Sequence, residues 1–350
     1  MAGRAQDECP LMLNVSHFAL DDLPRLLRSL PAADLAARGK AEQHNGELTK
    51  PAGALGRLEE LAIWLAGWQG LAKPEITSPA ISVFAGNHGV TRQGVSPFPH
   101  EVTAQMVSNF AAGGAAINQL CLAGGITLSV HPLDLEFPTE DITASPAMTH
   151  EDCARHFEEG MAAVPTGCDL FGAGEMGIGN TTIAAAIYAA LYGGDPERFV
   201  GRGTGVDDDG LGRKIAAVKA ALSYHRPHLD DPVEVLRRLG GREIVAIAGA
   251  IVKSRQMRVP VVLDGYVVTA AAAVLHAIEP DALAHCVAGH CSAEGAHAEV
   301  LERLGLTPLL SLGLRLGEGT GAALAMGIVK AAAACQSGMA TFSRAEVSGR

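Results

Sequence analysis

The carboxylate best placed for chemistry in this 350-residue chain is Glu318, which lies between Gly317 and Gly319. An apolar stretch precedes these residues, and the alanine-rich run 319–335 that follows predicts a helix of small residues. Because glycine has no side chain, a ligand can come close to Glu318, and the start of the helix offers a positive electrostatic end. An acidic residue in a first helical turn is also ordinary helix-start chemistry, so a purely structural role stays open.

The apolar neighbours of Glu318 should alter its acidity. Leu314, Leu316 and Ala322 lie close to it in the sequence, and removal of water from a carboxyl group raises the pKa of that group. A carboxylate with a raised pKa is a better general base near neutral pH. We therefore expect Glu318 to accept a proton in a reaction.

A second group of residues predicts a phosphate site. The glycine-rich run 172–182 follows a short apolar segment and opens an apolar helix, so its backbone N–H groups can bind a phosphate. The run also matches GxGxxG through Gly172, Gly174 and Gly177, but a dinucleotide-binding fold needs an acidic residue at a strand end about 20 residues further on. At that distance the chain has the polar turn 194–196, which argues against such a fold. A tight turn with a purely structural role is the other alternative.

Residues 201–214 are a second candidate for anion binding, because glycine turns precede the basic pair Arg213 and Lys214. Lys214 is placed to neutralise a phosphate in an otherwise acidic protein, although a lysine on a helix surface is the commoner case. The aspartates 207–209 follow glycine, threonine and one valine rather than an apolar strand, unlike a diphosphate-sugar motif. We interpret them as a helix-capping cluster.

A metal site is the alternative for a short span that holds several soft ligands. These are His285, Cys286, His290, Cys291 and His297. Their spacing matches no common zinc pattern, so the sequence favours no metal ion. His88 also follows an apolar run, where a structural histidine bonded to backbone groups is as probable as a catalytic one.

Short apolar runs bounded by glycine predict the strands that carry these residues. The runs lie at 80–85, 126–130, 169–171, 259–263 and 286–288. Helical patterns alternate with them at 101–122, 180–192, 210–223, 266–278 and 293–304, and two amphipathic helices are predicted near the start at 17–38 and 53–70. The polar segments 134–155 and 224–232 are expected to be surface loops. The alternation predicts an α/β fold with a doubly wound, mainly parallel sheet in a three-layer, Rossmann-like arrangement.

Composition excludes several partners. The net charge of −11 disfavours a nucleic-acid or anionic-membrane surface, because both need a basic field. No apolar run reaches the ~18–20 residues that span a bilayer, and the start lacks the pattern of a secretory signal. Seven cysteines without a CxxC pair do not form a disulfide framework. We expect a cytoplasmic protein with reduced thiols that binds neither nucleic acid nor membrane.

Six blocks of the sequence resemble one family. They lie at 49–59, 83–118, 174–182, 201–214, 241–265 and 312–325. Together they run in the expected order from about residue 50 to about residue 334, and they are similar to the nicotinate-nucleotide:dimethylbenzimidazole phosphoribosyltransferases, which make the lower-ligand nucleotide of cobalamin. The resemblance implies transfer of a 5-phosphoribosyl group from nicotinate mononucleotide to 5,6-dimethylbenzimidazole, with small-molecule substrates, no cofactor and no metal.

The resemblance also implies an architecture. It predicts a small domain of helices from both chain ends, at 1–75 and 319–350, and a large α/β catalytic domain at 76–318. A homodimer is inferred from the family alone. Lys50 and Arg57 are the residues that would face the ligand of a partner subunit.

Site residues follow from the resemblance position by position. Glu318 and Glu175 are the expected catalytic residues. Phosphate and donor binding is expected from Met176, Gly177, Ile178, Gly179, Asn180, Gly203, Lys214, Asp264, Gly265 and Ser292, and acceptor binding from Phe98, Gln105, Met106 and Leu316.

Two departures from the family pattern affect the acceptor and the pH response more than the reaction class. The family usually has aspartate where this chain has Asn87 and Ser311. The alternatives are a phosphoribosyltransferase that uses another aromatic base or a phenol, and a non-catalytic nucleotide-binding relative. The presence of Glu318, Glu175 and Lys214 argues against the latter.

Overall fold

A computed structural model of the protein describes residues 18–203 and 205–348. In these residues, five parallel strands form one sheet in the order β2-β1-β3-β4-β5. The strands are β1 (Pro79–Ala85), β2 (Thr127–Pro132), β3 (Leu170–Met176), β4 (Val261–Leu263) and β5 (Cys286–Ala288). The predicted parallel α/β sheet is therefore confirmed, and each predicted strand overlaps an observed one.

The strand order reverses between β1 and β3, and this reversal opens a crevice at their carboxyl ends. The two strands run side by side from the pair Pro79 and Leu170 to the pair Ala85 and Met176. The chain leaves β1 toward β2 on one side and leaves β3 toward β4 on the other. Ligands of open α/β sheets bind at such a switch point, which directs attention to the residues after positions 85 and 176.

Thirteen α-helices surround the sheet in the part of the chain that the structure describes. They are α1 (Leu23–Arg28), α2 (Leu35–Glu47), α3 (Arg57–Gln69), α4 (Glu101–Ala111), α5 (Ala116–Gly124), α6 (His150–Ala162), α7 (Asn180–Tyr192), α8 (Asp208–His225), α9 (Pro232–Leu239), α10 (Arg242–Gln256), α11 (Tyr266–Ile278), α12 (His297–Arg303) and α13 (Thr320–Gly338). Among the described residues, no helix is long and apolar enough to cross a membrane.

Several predicted helices are shorter or divided, and each difference has a local cause. The segment 17–38, of which residue 17 lies outside the described part, contains α1 and the start of α2, because Pro31 cannot continue a helix. The segment 101–122 divides into α4 and α5 at Gly113, where φ is +78°. The α3 helix begins at Arg57 rather than at residue 53, because Gly56 takes the left-handed φ of +51°.

Three helices lie where no helix was predicted. The α6 helix begins inside a segment predicted as a loop, where Thr149 accepts a hydrogen bond from the Asp152 N–H at 3.0 Å. The short α9 helix was also missed, and α10 is buried along almost its whole length, so it has no polar face that would show a helical period. Gly160 and Gly249 let α6 and α10 cross closely, because a Cβ at either position would collide with the backbone of the other helix.

Two hydrophobic clusters lie on opposite faces of the sheet and complete three layers. One contains the buried faces of α6, α7, α10 and α11, and the other contains those of α3, α5 and α13. The α13 helix covers the sheet with Ala322, Met326 and Val329 and also contacts α2 and α3. The Asn45 side chain donates to Gln336 Oε1 at 2.8 Å, which joins the two chain ends. The boundaries of a separate helical domain stay a prediction.

Candidate active site

The turn between β3 and α7 begins directly at the switch point. Gly177 could not carry a side chain, because a Cβ there would lie 2.7 Å from the Gly86 carbonyl oxygen and 3.0 Å from His88 Nε2. Gly179 has a φ of +91°, which favours glycine, and Asn180 begins the helix. The backbone thus turns sharply at the start of α7, a helix end of the kind that binds anions. The N–H groups of Asn180 and Thr182 donate to the carbonyl oxygens of Gly177 and Gly179 at 3.2 and 3.0 Å within this turn.

The GxGxxG match does not form a dinucleotide-binding turn. Gly172 and Gly174 lie inside β3, and only Gly177 lies in the turn. The strand continues to Met176, beyond the apolar residues that predicted it. Gly174 serves close packing instead, since a Cβ there would lie 2.5 Å from the carbonyl carbon of Glu318.

Lys214 is buried beside the turn. Its side chain lies on α8, is 1% exposed, and donates to Thr181 Oγ1 at 2.9 Å and to the Gly201 carbonyl oxygen at 2.8 Å. Burial lowers the pKa of Lys214 to about 8. Gly203, with a φ of +53°, lies against the ammonium group, because a Cβ there would be 3.2 Å from Nζ. The alternative of a lysine on the helix surface is therefore wrong.

One cleft brings the turn and Lys214 together. Its lining comprises Val95, Ser96, Gly177, Ile178, Gly179, Asn180, Thr181, Arg202, Val206 and Lys214. Thr181 and Arg202 were not predicted as site residues, and their only signal was their position inside the glycine-rich runs 172–182 and 201–214. Nor was Arg315 predicted, whose Nη1 donates to the Gly203 carbonyl oxygen at 3.0 Å. The prediction that 207–209 cap a helix is confirmed at Asp207, which accepts from the Gly210 N–H at 2.8 Å.

Glu318 lies in an unusual turn at the start of α13. Gly317, Glu318 and Gly319 have φ values of +80°, +63° and +84°, so three successive residues are left-handed. Glu318 is 5% exposed, and burial followed by the charge of Asp264 raises its pKa to about 7. The direction of the predicted pKa shift is confirmed, although Leu316 is 56% exposed and so contributes little burial.

Asp264, predicted as a donor-binding residue, has both carboxylate oxygens directed at α13. Oδ2 accepts from the Gly319 N–H at 3.1 Å, and Oδ1 accepts from the Ala322 N–H at 2.9 Å. His290 Nε2 lies 3.6 Å from Oδ1, and Asp264 is 1% exposed. These contacts give Asp264 a structural task that the sequence did not suggest.

Glu175 is the second buried carboxyl group of the site. It is the penultimate residue of β3, and its Oε2 accepts a short hydrogen bond from the Asn180 side chain at the start of α7. Burial and then the charges of Asp264 and Glu243 raise its pKa to about 8, with a smaller contribution from Glu318. Glu175 therefore links the turn at residues 177–180, the predicted phosphate turn, to the turn that holds Glu318.

Gly265 and Ser292 lie at the carboxyl ends of β4 and β5. A Cβ at Gly265 would lie 3.1 Å from His290 Nε2 and 3.7 Å from the Cβ of Ser292. The Ser292 hydroxyl accepts from the Glu294 N–H at 3.3 Å. Glu294 in turn packs against Gly201, where a Cβ would collide with its carboxylate. These neighbouring contacts connect the predicted donor residues in one series along the edge of the sheet, from Asp264 to Lys214.

The histidine and cysteine span does not assemble into a metal site. His285 Nε2 lies 2.9 Å from the Ile251 carbonyl oxygen, and His297 Nδ1 accepts from the Ser292 N–H at 2.8 Å. In the described part of the chain, the one cluster with ligand geometry is Asp134, Asp152 and His156, away from this span.

The predicted acceptor residues are less closely gathered. Thr103 on α4 accepts from the Ile178 N–H at 3.4 Å, so α4 lies beside the phosphate turn. Met106, one turn further along α4, is half-buried, whereas Gln105 is exposed. Phe98 and Leu316 are 47% and 56% exposed. One side of any acceptor pocket is thus open to solvent in the single chain.

The departures from the family pattern lie in different surroundings. Asn87 is buried at the switch point and donates to the Leu135 carbonyl oxygen at 2.9 Å, while Ser311 is exposed. His88, the neighbour of Asn87, was left open between a structural histidine bonded to backbone groups and a catalytic one. In the structure it faces a carboxylate, because its Nε2 lies 2.8 Å from Glu243 Oε1. Both side chains of this pair are fully buried.

The basic residues predicted to face a partner's ligand already have acidic neighbours. Lys50 Nζ lies 3.0 Å from Glu59 Oε1 and donates to Asn45 Oδ1 at 2.9 Å. Arg57 forms a short ion pair with Glu60 on the surface. Either residue would have to exchange these contacts to reach a ligand.

A parallel sheet with a phosphate turn and two buried carboxyl groups at its switch point defines an α/β enzyme that acts on a phosphorylated small molecule. Comparison with known proteins agrees. A phosphoribosyltransferase family model matches residues 30–347. The nicotinate-nucleotide–dimethylbenzimidazole phosphoribosyltransferase of Sinorhizobium medicae is 60% identical over 338 residues, which cover 97% of this chain and 100% of that protein. The enzyme of that name from Agrobacterium fabrum is 59% identical, and the match covers 97% of this chain and 98% of that protein.

Solved structures give the same result. A crystal structure of CobT from Thermus thermophilus is 46% identical and superposes with a TM-score of 0.85, covering 90% of this chain and all of that one. A crystal structure of the nicotinate-nucleotide–dimethylbenzimidazole phosphoribosyltransferase from the same organism is 43% identical and superposes with a TM-score of 0.84, covering 91% of this chain and 100% of that one. The chain belongs to the nicotinate-nucleotide–dimethylbenzimidazole phosphoribosyltransferase family.

Proposed function

We propose that this protein transfers the 5-phosphoribosyl group of nicotinate mononucleotide to 5,6-dimethylbenzimidazole, which yields α-ribazole 5′-phosphate and nicotinate for cobalamin biosynthesis. The relatives at 59–60% identity carry the name of this reaction. The observation that carries the proposal is the buried carboxyl of Glu318, with a pKa of about 7, beside a cleft suited to phosphate. We assign the role of each residue from its place in that arrangement.

The donor phosphate binds at residues 177–180 and is neutralised by Lys214. Support comes from the cleft that these residues line together and from the buried ammonium group. Helix starts and buried cations are the usual partners of phosphate. This arrangement directs the ribose toward Glu175 and the turn of Glu318, while Ser292 and Gly265 line the far rim.

The transfer forms one bond and breaks another at the anomeric carbon. One nitrogen of the benzimidazole attacks this carbon, and the bond to nicotinate breaks with its electron pair, which neutralises the pyridinium ring. The proton on the second benzimidazole nitrogen passes to the Glu318 carboxylate. Attack on the face opposite the leaving group converts a β-nucleotide into an α-nucleotide. We assign to Glu175, in its ionised form, the stabilisation of the oxocarbenium-like transition state.

The acceptor lies against Phe98, Met106, Met176 and Leu316, which together offer flat apolar contacts, with Gln105 at the edge. The exposure of Phe98 and Leu316 supports a homodimer in which a second subunit covers this side. Six free cysteines among the described residues support a location in the reducing cytoplasm. Light scattering of the purified protein tests the dimer.

The reaction is tested with purified protein, nicotinate mononucleotide and a panel of benzimidazoles, purines and phenols, with products identified by mass. We expect nicotinate release only with an acceptor, and α-ribazole 5′-phosphate with 5,6-dimethylbenzimidazole. Equal release without an acceptor would indicate a hydrolase, and preference for a phenol or purine would change the acceptor class. The matched control is Glu302→Gln on the exposed side of α12, which should leave the rate unchanged.

A further inference from the structure

The turn that carries Glu318 needs support from outside itself. Three successive residues, Gly317 to Gly319, have φ values between +63° and +84°. A residue with a Cβ is disfavoured in this region, because the Cβ approaches a backbone carbonyl oxygen. Such a conformation persists where surrounding contacts over-determine it, and it is concentrated at functional sites.

Asp264 supplies that support from the end of β4. Its two oxygens accept from the N–H groups of Gly319 and Ala322 at 3.1 and 2.9 Å. These groups lie in the first turn of α13, where backbone donors have no partner within the helix. Thr320 closes the turn from the other side, since its hydroxyl donates to the Gly317 carbonyl oxygen at 2.8 Å.

From this geometry we infer that Asp264 is a positioning residue for the transfer reaction, which holds Glu318 in the orientation that receives the acceptor proton. The inference rests on the proposed function, because it takes Glu318 as the base. Donor binding by Asp264 stays a prediction beside this role, since each carboxylate oxygen that accepts from α13 keeps a second acceptor site.

The charge of Asp264 provides a second, measurable effect. Burial, followed by the charge of Asp264, raises the pKa of Glu318 to about 7. The other titratable groups around these carboxyls are Glu175, Glu243 and His290, with His290 Nε2 3.6 Å from Asp264 Oδ1. If the charge of Asp264 is removed, the pKa of Glu318 falls. Because only the ionised Glu318 accepts a proton, the acidic limb of the kcat profile should then move to lower pH.

The test is Asp264→Asn in the full chain, with kcat and both KM values measured from about pH 5 to pH 9. We expect kcat to fall about tenfold or more, as for a displaced catalytic group, while the donor KM changes less than about twofold. The acidic limb should move to lower pH. In a Glu318→Gln background the same substitution should cost little further activity, because the two residues act as one unit.

Two further variants keep the result decisive. Asp34→Asn is the matched control, because Asp34 Oδ1 accepts from two backbone N–H groups at the start of α2, both at 2.9 Å. It should lower Tm without moving the acidic limb. If Asp264→Asn does not fold, Asp264→Ser takes its place, since it removes the charge and brings no amide donor against the N–H groups of α13.

Several results would overturn the inference. One is an Asp264→Asn variant in which neither kcat nor the acidic limb of its pH profile changes. Another is a large rise in the donor KM without a shift of that limb, which would make Asp264 a donor ligand. An additive loss in the Glu318→Gln background would also contradict it. Failure of the proposed function has a different signature, namely a wild-type protein without transfer activity or a Glu318→Gln variant with full activity.

Discussion

Glu175 lies so close to Gly317 that any side chain at position 317 would collide with its Oε1. The two residues belong to separate segments, the end of β3 and the turn before α13. Glycine is thus required at position 317 for two reasons, a φ of +80° and the carboxyl group beside it. Their contact places the two proposed catalytic carboxyl groups within one electrostatic environment, where the charge of Glu318 raises the pKa of Glu175.

Glu318→Gln should keep the fold and substrate binding but lose most turnover. The amide preserves the shape of the side chain but cannot accept the acceptor proton. Loss of a general base typically costs about 10²–10⁴-fold in rate, so we expect kcat to fall by at least about 10²-fold. The deficit should shrink for acceptors with a more acidic N–H group. Normal turnover with 5,6-dimethylbenzimidazole would make Glu175 the next candidate for the base.

Lys214→Ala should weaken donor binding far more than acceptor binding. A charge-assisted contact contributes roughly 1.5–3 kcal/mol, so the donor KM should rise by about one to two decades. Because burial lowers the pKa of Lys214 to about 8, the wild-type donor KM should also rise above about pH 8, and this rise should be absent from the variant.

The matched control for Lys214 is Lys219→Ala on the same helix. Lys219 is exposed and pairs with Glu197 at 2.6 Å. Steady-state kinetics at several pH values compare the two variants. An unchanged donor KM in Lys214→Ala would show that the ammonium group has a purely structural role.

Glu175→Gln should stabilise the protein at alkaline pH. Burial raises the folded-state pKa of Glu175 to about 8 from an ordinary value of 4.5, so the folded protein binds the extra proton between these values. The contribution of this group to stability is therefore fully present below about pH 4.5 and is lost as pH rises through about 8. At pH 8 we expect the variant to gain on the order of 1–3 kcal/mol in free energy of unfolding. Denaturant titrations at pH 5 and pH 8 measure this, and an equal gain at both values would contradict it.

Gly174→Ala should reduce activity by displacing the turn of Glu318. The added Cβ would lie 2.5 Å from the carbonyl carbon of Glu318 and from the N of Gly319, so backbone must move. We expect a destabilisation of about 1–3 kcal/mol and a fall in kcat that exceeds the change in either KM. Gly39→Ala in α2 is the control, because a Cβ there meets nothing within 4 Å. It should be neutral or stabilise by about 0.5–1 kcal/mol. Equal kinetics in both variants would show that the turn tolerates the shift.

Nicotinate release should be insensitive to chelators. The proposed donor has no diphosphate that a divalent cation must neutralise, and in the proposed site Lys214 provides the positive charge at its phosphate. Arg155 already pairs with both Asp134 and Asp152 at 2.6 Å, in the cluster with ligand geometry. The measurement is the initial rate with and without EDTA. Loss of activity in EDTA that magnesium or zinc restores would contradict the prediction.

Much of the sheet could be predicted because strands buried on both faces need continuous apolar runs, and such runs are visible in the sequence. The end of β3 could not, since Gly174, Glu175 and Met176 have little strand propensity and extend through pairing with β1. The α10 helix was not predicted for a different reason, namely its nearly complete burial. Its residues are nearly all buried, so no polar face alternates with an apolar one.

The site was predictable where glycine marks a turn and less so where distant segments meet. Glycines around 177 and 317 pointed to turns that the structure contains. The bonds from Gly319 and Ala322 to Asp264 join residues more than fifty positions apart, and no local pattern encodes them. The same holds for the pair of His88 and Glu243, which meet across the switch point.

The position of α13 has a consequence for truncated forms of the protein. This helix covers one face of the sheet, and the turn before it carries Glu318. A chain cut before residue 317 would keep the segments that line the cleft beside Lys214, but it would lack both the proposed base and the cover of that face. Such a fragment should expose apolar residues of the sheet, so transfer activity would report on chains that retain α13.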